Sequence, residues 1–237
     1  MNDASRPPIT DAPAYRANEV ADMLALPVGT VKAWCFGHDY HHKTDGSRKL
    51  FVRVIEPASP DDKLLSFANL CEVHVLAAIR RLHGVKLPAV RSAIDFVRTR
   101  MDVDRPLASS RFLTNGIALF VEHAGQLLNV SQQGQQTLRE DFERALTRIE
   151  FDRRSGAPVL LFPFTRESPL EKDQPRTVVV DPARSFGRPV LAGVYVRTEV
   201  IENRFRAGDL IGDMARDYGV SPTAIEEALR FERRRAA

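Results

Sequence analysis

Tyr15-Arg-Ala-Asn-Glu-Val-Ala-Asp-Met-Leu-Ala-Leu-Pro-Val-Gly-Thr-Val-Lys-Ala-Trp34 is written as helix, tight turn, helix. Val20, Ala21 and Leu24 repeat at helical spacing, and Asn18 is placed to cap the first helix. Pro27 breaks the run, and Val28 and Val31 restart it on a second inner face. Such a pair braces its second helix so that the outward residues of that helix can enter a major groove. The outward positions are expected to be Thr30, Lys32 and Trp34.

The next segment extends the surface. It runs Cys35-Phe-Gly-His-Asp-Tyr-His-His-Lys-Thr-Asp-Gly-Ser-Arg-Lys-Leu-Phe-Val-Arg-Val-Ile55, with Asp45-Gly46 as a hairpin turn signal and a β-branched, aromatic run from Leu50 to Ile55. The reading is a β-wing carrying His41, His42, Lys43, Arg48, Lys49 and Arg53 at phosphate height. Four of these, Lys43, Arg48, Lys49 and Arg53, join Thr30, Lys32 and Trp34 as candidate DNA contacts.

A second helix-turn-helix pattern closes the chain. Leu210, Ile211, Met214 and Ala215 are expected to face Val220, Ile225 and Leu229, with Gly219 in the turn. Ser221-Pro222 reads as an N-cap followed by proline at the first helical position. Its outward side carries Thr223, Glu226 and Glu227, and carboxylates are repelled by phosphate. This copy is read as a dimerising or protein-binding unit.

The 237 residues suit two domains or one with an appendage. A hydrophobic fraction of 43% with 27% charged residues is that of a folded, soluble chain. A net charge of +3 makes no segment strongly basic, so DNA contact would need a local patch doubled in a homodimer. No run has the length of a signal peptide or membrane span, and the two cysteines make no disulfide framework. A cytoplasmic protein with no membrane association is expected.

The predicted architecture is α+β in four parts. Residues 1–13, with three prolines, form a flexible arm; residues 14–105 hold the winged helix-turn-helix and a helical hairpin over 64–83 and 88–101, with Gly84 between. Residues 106–176 form a small α/β region: strands at 112–121 and 127–130, a helix over 136–149, a strand at 159–164 and a loop at 166–176. Residues 177–237 add strands at 177–181 and 189–196 before the closing helices.

Enzyme chemistry finds little support. Cys35, His38, His41 and His42 make one cluster, where structural zinc sites pair two. Asp209, Asp213 and Asp217 share a helix face, but a cap at Asp209 and a solvated stripe account for them. His74, His83 and His123 sit among apolar residues. There is no phosphate-cradling glycine loop and no nucleophile elbow. A non-enzyme without cofactor or metal is expected.

Two resemblances add to this. Tyr15 to Trp34, the wing, and Leu65-Ser-Phe-Ala-Asn-Leu-Cys-Glu-Val-His-Val-Leu76 resemble the MerR-type winged helix-turn-helix family. Asp181-Pro182, Arg188-Pro-Val-Leu-Ala-Gly193, Val200-Ile201, Arg206-Ala-Gly-Asp209, Tyr218 and Glu227-Ala-Leu229 look like a small domain recurrent in bacterial antitoxins, with Val194-Tyr195 where that domain usually has Thr-Arg. The layout is similar to VapB-type antitoxins, whose partners are PIN-like ribonuclease toxins. It implies operator binding, autorepression and toxin neutralisation. Arg230, Arg233, Arg234 and Arg235, expected to trail beyond a helix ending near Phe231, are the candidate toxin contacts, because guanidinium pairs bidentately with carboxylates. The competing reading is a stand-alone MerR-type regulator whose middle sheet binds a small effector.

Overall fold

The computed structural model describes residues 8–41, 48–83, 87–128, 131–165 and 175–235. Tyr15–Arg16 (β1) leads into helices Ala17–Leu24 (α1) and Val28–Phe36 (α2). Strands His38–His41 (β2) and Arg48–Phe51 (β3) pair antiparallel, with His38 opposite Phe51. Leu64–Leu65 (β4) pairs with β1 and brings the chain back beneath α1.

Helix Phe67–His83 (α3) is the axis of the molecule, and every residue from Phe67 to Ala78 is buried. A helix covered on all sides must satisfy its polar groups internally. Asn69 Oδ1 accepts from the Ser66 and Ala58 amides, both at 3.0 Å, while Asn69 Nδ2 donates to the Glu56 carbonyl at 2.8 Å. Glu72 accepts from Asn69 at 2.9 Å and from Arg105 at 3.0 Å. His74 Nε2 lies 3.2 Å from the Ala145 carbonyl and its ring stacks on Phe164. His74 is a core histidine.

Helix Leu87–Met101 (α4) completes the hairpin; Gly84 lies outside the described residues. The expected arm is in part structured. Residues 1–7 lie outside the described residues, but Thr10 is buried and its carbonyl accepts the Ala68 amide at 2.9 Å, satisfying one orphan donor at the start of α3.

Residues 112–128 overturn the expected strands. A π-helical turn over Phe112–Gly116 runs into helix Ile117–Leu128 (α5). Phe112, Gly116, Ile117, Phe120, Val121 and Ala124 are buried, at the three- and four-residue spacing of a helix face. The short run Ile117-Ala-Leu-Phe-Val121 imitates a strand only when its flanks are ignored. Phe112, Phe120 and Phe142 form an aromatic cluster with centroids 4.7–6.2 Å apart. Phe142 belongs to helix Gln132–Leu146 (α6), which starts earlier than expected because the Ser131 hydroxyl caps the Gly134 amide. The middle of the chain is thus mainly helical.

The sheet is smaller than predicted. Ile149–Phe151 (β5) pairs with Pro158–Leu161 (β6), and Val178–Val179 (β7) with Val190–Leu191 (β8), all antiparallel. A bridge between Leu161 and Val180 joins the two pairs. Helices Thr198–Arg206 (α7), Ile211–Tyr218 (α8) and Pro222–Arg235 (α9) then enclose a separate small core of Leu191, Ile201, Met214, Ala215, Ile225, Ala228 and Leu229. No helix among the described residues is long and apolar enough to cross a membrane.

Candidate nucleic-acid interface

The turn between α1 and α2 is fixed by backbone geometry. Ala25 takes the left-handed conformation at φ 50° and ψ 54°. Its amide donates to the Asp22 carbonyl, and the Leu26 amide donates to the Ala21 carbonyl at 2.9 Å, the two bonds of a Schellman ending. Pro27 then precedes the second helix, and the Thr30 amide donates to its carbonyl at 2.9 Å. Asn18 is not the cap: Arg16 holds that position, with its amide donating to Glu19 at 2.8 Å.

The outward face of α2 differs from the expected one at its largest residue. Lys32 and Gly29 are exposed, and Thr30 is half-buried. Trp34 is 3% exposed and belongs to the main core. Its carbonyl accepts the Val54 and Ile55 amides at 2.7 and 3.0 Å, anchoring the return from β3. The reason is angular. Counting from Val31, which is fully buried, Trp34 falls three residues on and therefore on the same side of the helix. Trp34 is removed from the set of base-contacting candidates.

Beyond α2 the hairpin stands on an unforeseen brace. Arg91 of α4 donates from Nε to the Arg53 carbonyl at 3.1 Å and from its NH2 group to the Val52 carbonyl, with its guanidinium over the Phe51 ring. His38 stacks on the same Phe51 ring, with centroids 5.1 Å apart. Arg53 is exposed but bound to Glu56 by two hydrogen bonds of 2.6 and 2.7 Å, so it would reach phosphate only by leaving that pair. Arg48 and Lys49 are placed on β3 opposite His41 and Tyr40, and their side chains lie outside the description. His42, Lys43 and the Asp45-Gly46 turn lie outside the described residues. Leu50 points out at 65% exposure, and β3 ends at Phe51 rather than Ile55. Cys35 is fully buried, and burial pushes its thiol above the usual range, so it faces the core and not the hairpin.

The C-terminal pair repeats the first position for position. Gly219 takes the left-handed place of Ala25, at φ 66° and ψ 33°. The Val220 amide donates to Ala215 at 2.9 Å as Leu26 does to Ala21, and the Ala224 amide to Ser221 as Thr30 does to Pro27. Ala215 and Ile225 are buried where Ala21 and Val31 are. The outer faces diverge, with exposed Glu226 at the place of Lys32. Three expected details fail. Glu227, expected to face outward, is 7% exposed and accepts from Thr165 at 2.9 Å. Leu210 is 68% exposed and caps α8 by its backbone, which leaves Asp209 free to accept from Arg204; the same arginine holds Asp217. Asp213 pairs with Arg216 at 3.1 Å, so the acidic stripe is neutralised by neighbouring arginines.

The arginine tail is also placed differently. α9 continues through Arg235, so Arg233 to Arg235 are helical rather than an extended arm. Glu232 in the last turns accepts from Thr198 of α7 at 2.5 Å and Glu227 accepts from Thr165 at 2.9 Å, which ties α9 to the rest of the fold, while Arg230 pairs with Glu227 inside the helix. Arg233 lies over Phe205, and Arg234 lies over Phe231 and reaches the Met23 carbonyl at 3.5 Å. Arg234 therefore joins the two helix-turn-helix units. The side chain of Arg235 lies outside the description.

Other joints lie close by. Arg188 pairs with Glu19 of α1, and Gly187 is so near Tyr15 that an added Cβ would meet the hydroxyl at 1.9 Å. Among the described residues a cleft of about 380 Å3 opens here, lined by Glu19, Met23, Arg188, Arg197 and Glu199 among others.

Comparison with known proteins follows the same division. Residues 13–94 match the family described as "Putative DNA-binding HTH domain", and residues 178–231 match "Protein of unknown function (DUF433)". The chain is 28% identical over 235 residues to "Putative antitoxin VapB45" of Mycobacterium tuberculosis, covering 92% of this chain and 93% of that protein. It is 26% identical to "Uncharacterized protein Rv2308" of the same organism, covering 98% and 95%. The crystal structure of Rv2018 from Mycobacterium tuberculosis shares the fold at a TM-score of 0.66 and 23% identity, covering 92% of this chain and 98% of that one. A helix-turn-helix DNA-binding domain is present, and the chain is similar over nearly its whole length to a protein named as a putative antitoxin.

Proposed function

We propose that this chain is the DNA-binding antitoxin of a two-component toxin–antitoxin pair: it represses its own operon as a homodimer and neutralises a PIN-like ribonuclease. The observation that carries the reading is the α1–α2 turn. It seats Val31 in the core and leaves Gly29 and Lys32 of α2 facing solvent, beside a strand pair that bears Arg48 and Lys49. α2 is the recognition helix and β2–β3 the wing, with Thr30 at the groove and Lys32, Lys43, Arg48, Lys49 and Arg53 as the phosphate contacts. A dimer doubles that small basic footprint and reads a symmetric site, with half-sites one helical turn apart.

The C-terminal unit takes the protein partner. Its outer face carries Glu226 where a phosphate-binding helix would carry a cation, so repulsion from DNA assigns it elsewhere. Arg230 and Arg233 remain on the accessible side of α9 as contacts for an acidic nuclease, whereas Arg234 is committed to the joint with Met23.

Two measurements test this. Anisotropy titration with the chain's own promoter should give a steep salt dependence that flattens by about one unit in Lys32→Ala and Arg48→Ala, each losing one phosphate contact. The purified product of the adjoining gene should cleave RNA alone and lose that activity on mixing with this chain. A promoter bound with an unchanged salt slope would remove the DNA face; an adjoining product without nuclease activity would remove the antitoxin reading.

A further inference from the structure

The most exposed large apolar residue among those described is Phe186, at 94%. It is displayed by an unusual backbone. Ser185 and Phe186 take left-handed conformations at φ 47° and 55°, followed by Gly187 at φ 68°. Two consecutive non-glycine residues in that region are unfavourable, and phenylalanine has no local hydrogen bond to offset it. The turn is nevertheless held on every side. Asp181 Oδ1 accepts the Ala183 amide at 2.8 Å, the Gly187 amide donates to Arg184 at 2.8 Å, and the Arg188 amide donates to Ser185 at 3.0 Å. Below it, Gly187 is seated against Tyr15 and Arg188 against Glu19.

From these observations we infer that Phe186 is the anchor by which this chain docks a protein partner, inserting into an apolar pocket rimmed by carboxylates. A strained backbone maintained to hold a ring in water fits a binding anchor, since buried aromatic anchors dominate interface energetics. The apolar surface continues at Tyr195, which is 38% exposed, also left-handed at φ 57°, and covered on one face by the Arg184 guanidinium at 4.1 Å.

Charge selects the occupant. Arg184, Arg188 and Arg197 keep 57%, 41% and 43% of their side chains exposed. The carboxylate partners of the first two, Asp181 and Glu19, are sunk to 12% and 19%, whereas Glu199, the partner of Arg197, is 59% exposed and balances it. The field flanking the ring, set by the outer faces of Arg184 and Arg188, is therefore positive. A two-fold contact of this patch with itself would set Arg184 and Arg188 against their own copies, which argues against a second copy as the occupant. A ring held clear of the surface, with a second aromatic face already taken by Arg184, suits a pocket in a protein better than a stack of bases. On the reading proposed above, the partner is the nuclease, and the site places it at the joint between the two helix-turn-helix units.

The test uses the full chain and the purified product of the adjoining gene. Phe186→Gly removes the ring and also relieves the left-handed strain, so its melting temperature is expected to equal or exceed that of the unaltered chain. Its complex with the adjoining product should weaken by about thirtyfold or more in calorimetric titration, the scale of a hot-spot residue. Phe186→Leu should recover part of the loss. A glycine variant that binds as tightly as the unaltered chain overturns the anchor while leaving the antitoxin reading intact. Failure of the unaltered chain to bind the product overturns that reading and the anchor's occupant together. A glycine variant that changes the chain's own sedimentation, or that loses its promoter in the absence of partner, reassigns Phe186 to a second copy or to DNA and overturns the proposal.

Discussion

Lys32 and Trp34 stand two positions apart on α2 and face opposite environments. Lys32 is exposed, whereas Trp34 is buried among the main core residues and its carbonyl ties down Val54 and Ile55. Trp34→Ala should therefore cost about 3–5 kcal/mol in urea denaturation, the range for an emptied aromatic site. The salt slope of whatever folded protein remains should match that of the unaltered chain. A Trp34→Ala protein of full stability with a reduced slope would return this residue to the DNA face.

Glu72 supplies a second residue-scale prediction, through pH. Burial is the largest influence on its carboxyl and raises its pKa above the ordinary 4.5, against the opposing charge of Arg105 and the hydrogen bond from Asn69. A folded state that holds a proton more tightly than the unfolded chain gains stability as pH falls, and loses it as pH rises from the ordinary glutamate value through the raised one. Glu72→Gln mimics the protonated form. Its melting temperature, measured from about pH 4.5 upward, should gain on that of the unaltered chain with rising pH, and parallel curves would contradict the assignment.

At the scale of elements, the two helix-turn-helix units use one turn with different residues. Ala25 and Gly219 occupy the same left-handed position, and only glycine does so without a Cβ penalty. Ala25→Gly should stabilise the N-terminal unit and Gly219→Ala should destabilise the C-terminal one, each by about 1 kcal/mol. Open space around Gly219, with nothing within 4 Å of an added Cβ, makes the second effect purely conformational. Thermal denaturation of both variants checks the pair, and equal signs would show that the two turns are not equivalent. The outer faces of these elements were legible from the sequence at Lys32 and Glu226, whereas Glu227, expected to face outward, is buried because Thr165 satisfies its carboxylate. Thr30 was legible only in part, being half-buried.

On the whole-molecule scale, the two units are locked together by contacts distant in sequence. Gly187 rests on Tyr15, Arg188 on Glu19 and Arg234 on the Met23 carbonyl. Gly187→Ala would drive a methyl group into the Tyr15 hydroxyl at a position that is also left-handed, so the joint must open. The expected outcome is a loss of several kcal/mol, with faster amide exchange in α1 and in residues 181–188 than in α3. Uniform exchange across all three segments would show that the joint is not a separate unit of stability.

The local patterns of the chain determined its two turns, their inner faces and the balance of charge outside them. Val20 and Val31, Met214 and Ile225 announce themselves by helical spacing, and Gly219, Ser221 and Pro222 by backbone preference. The same local reading mistook Ile117 to Val121 for a strand, since a short apolar run has no period of its own and only packing against α4 and α6 makes it helical. Tertiary structure alone decided that Trp34 turns inward, that Arg91 braces the hairpin from 38 residues away, and that the arginines after Phe231 stay helical. It alone decided that Phe186 is left in water, because a side chain's surroundings are set by segments far along the chain. Residue type fixes what a group can do; the joint between the two units fixes which groups are free to do it.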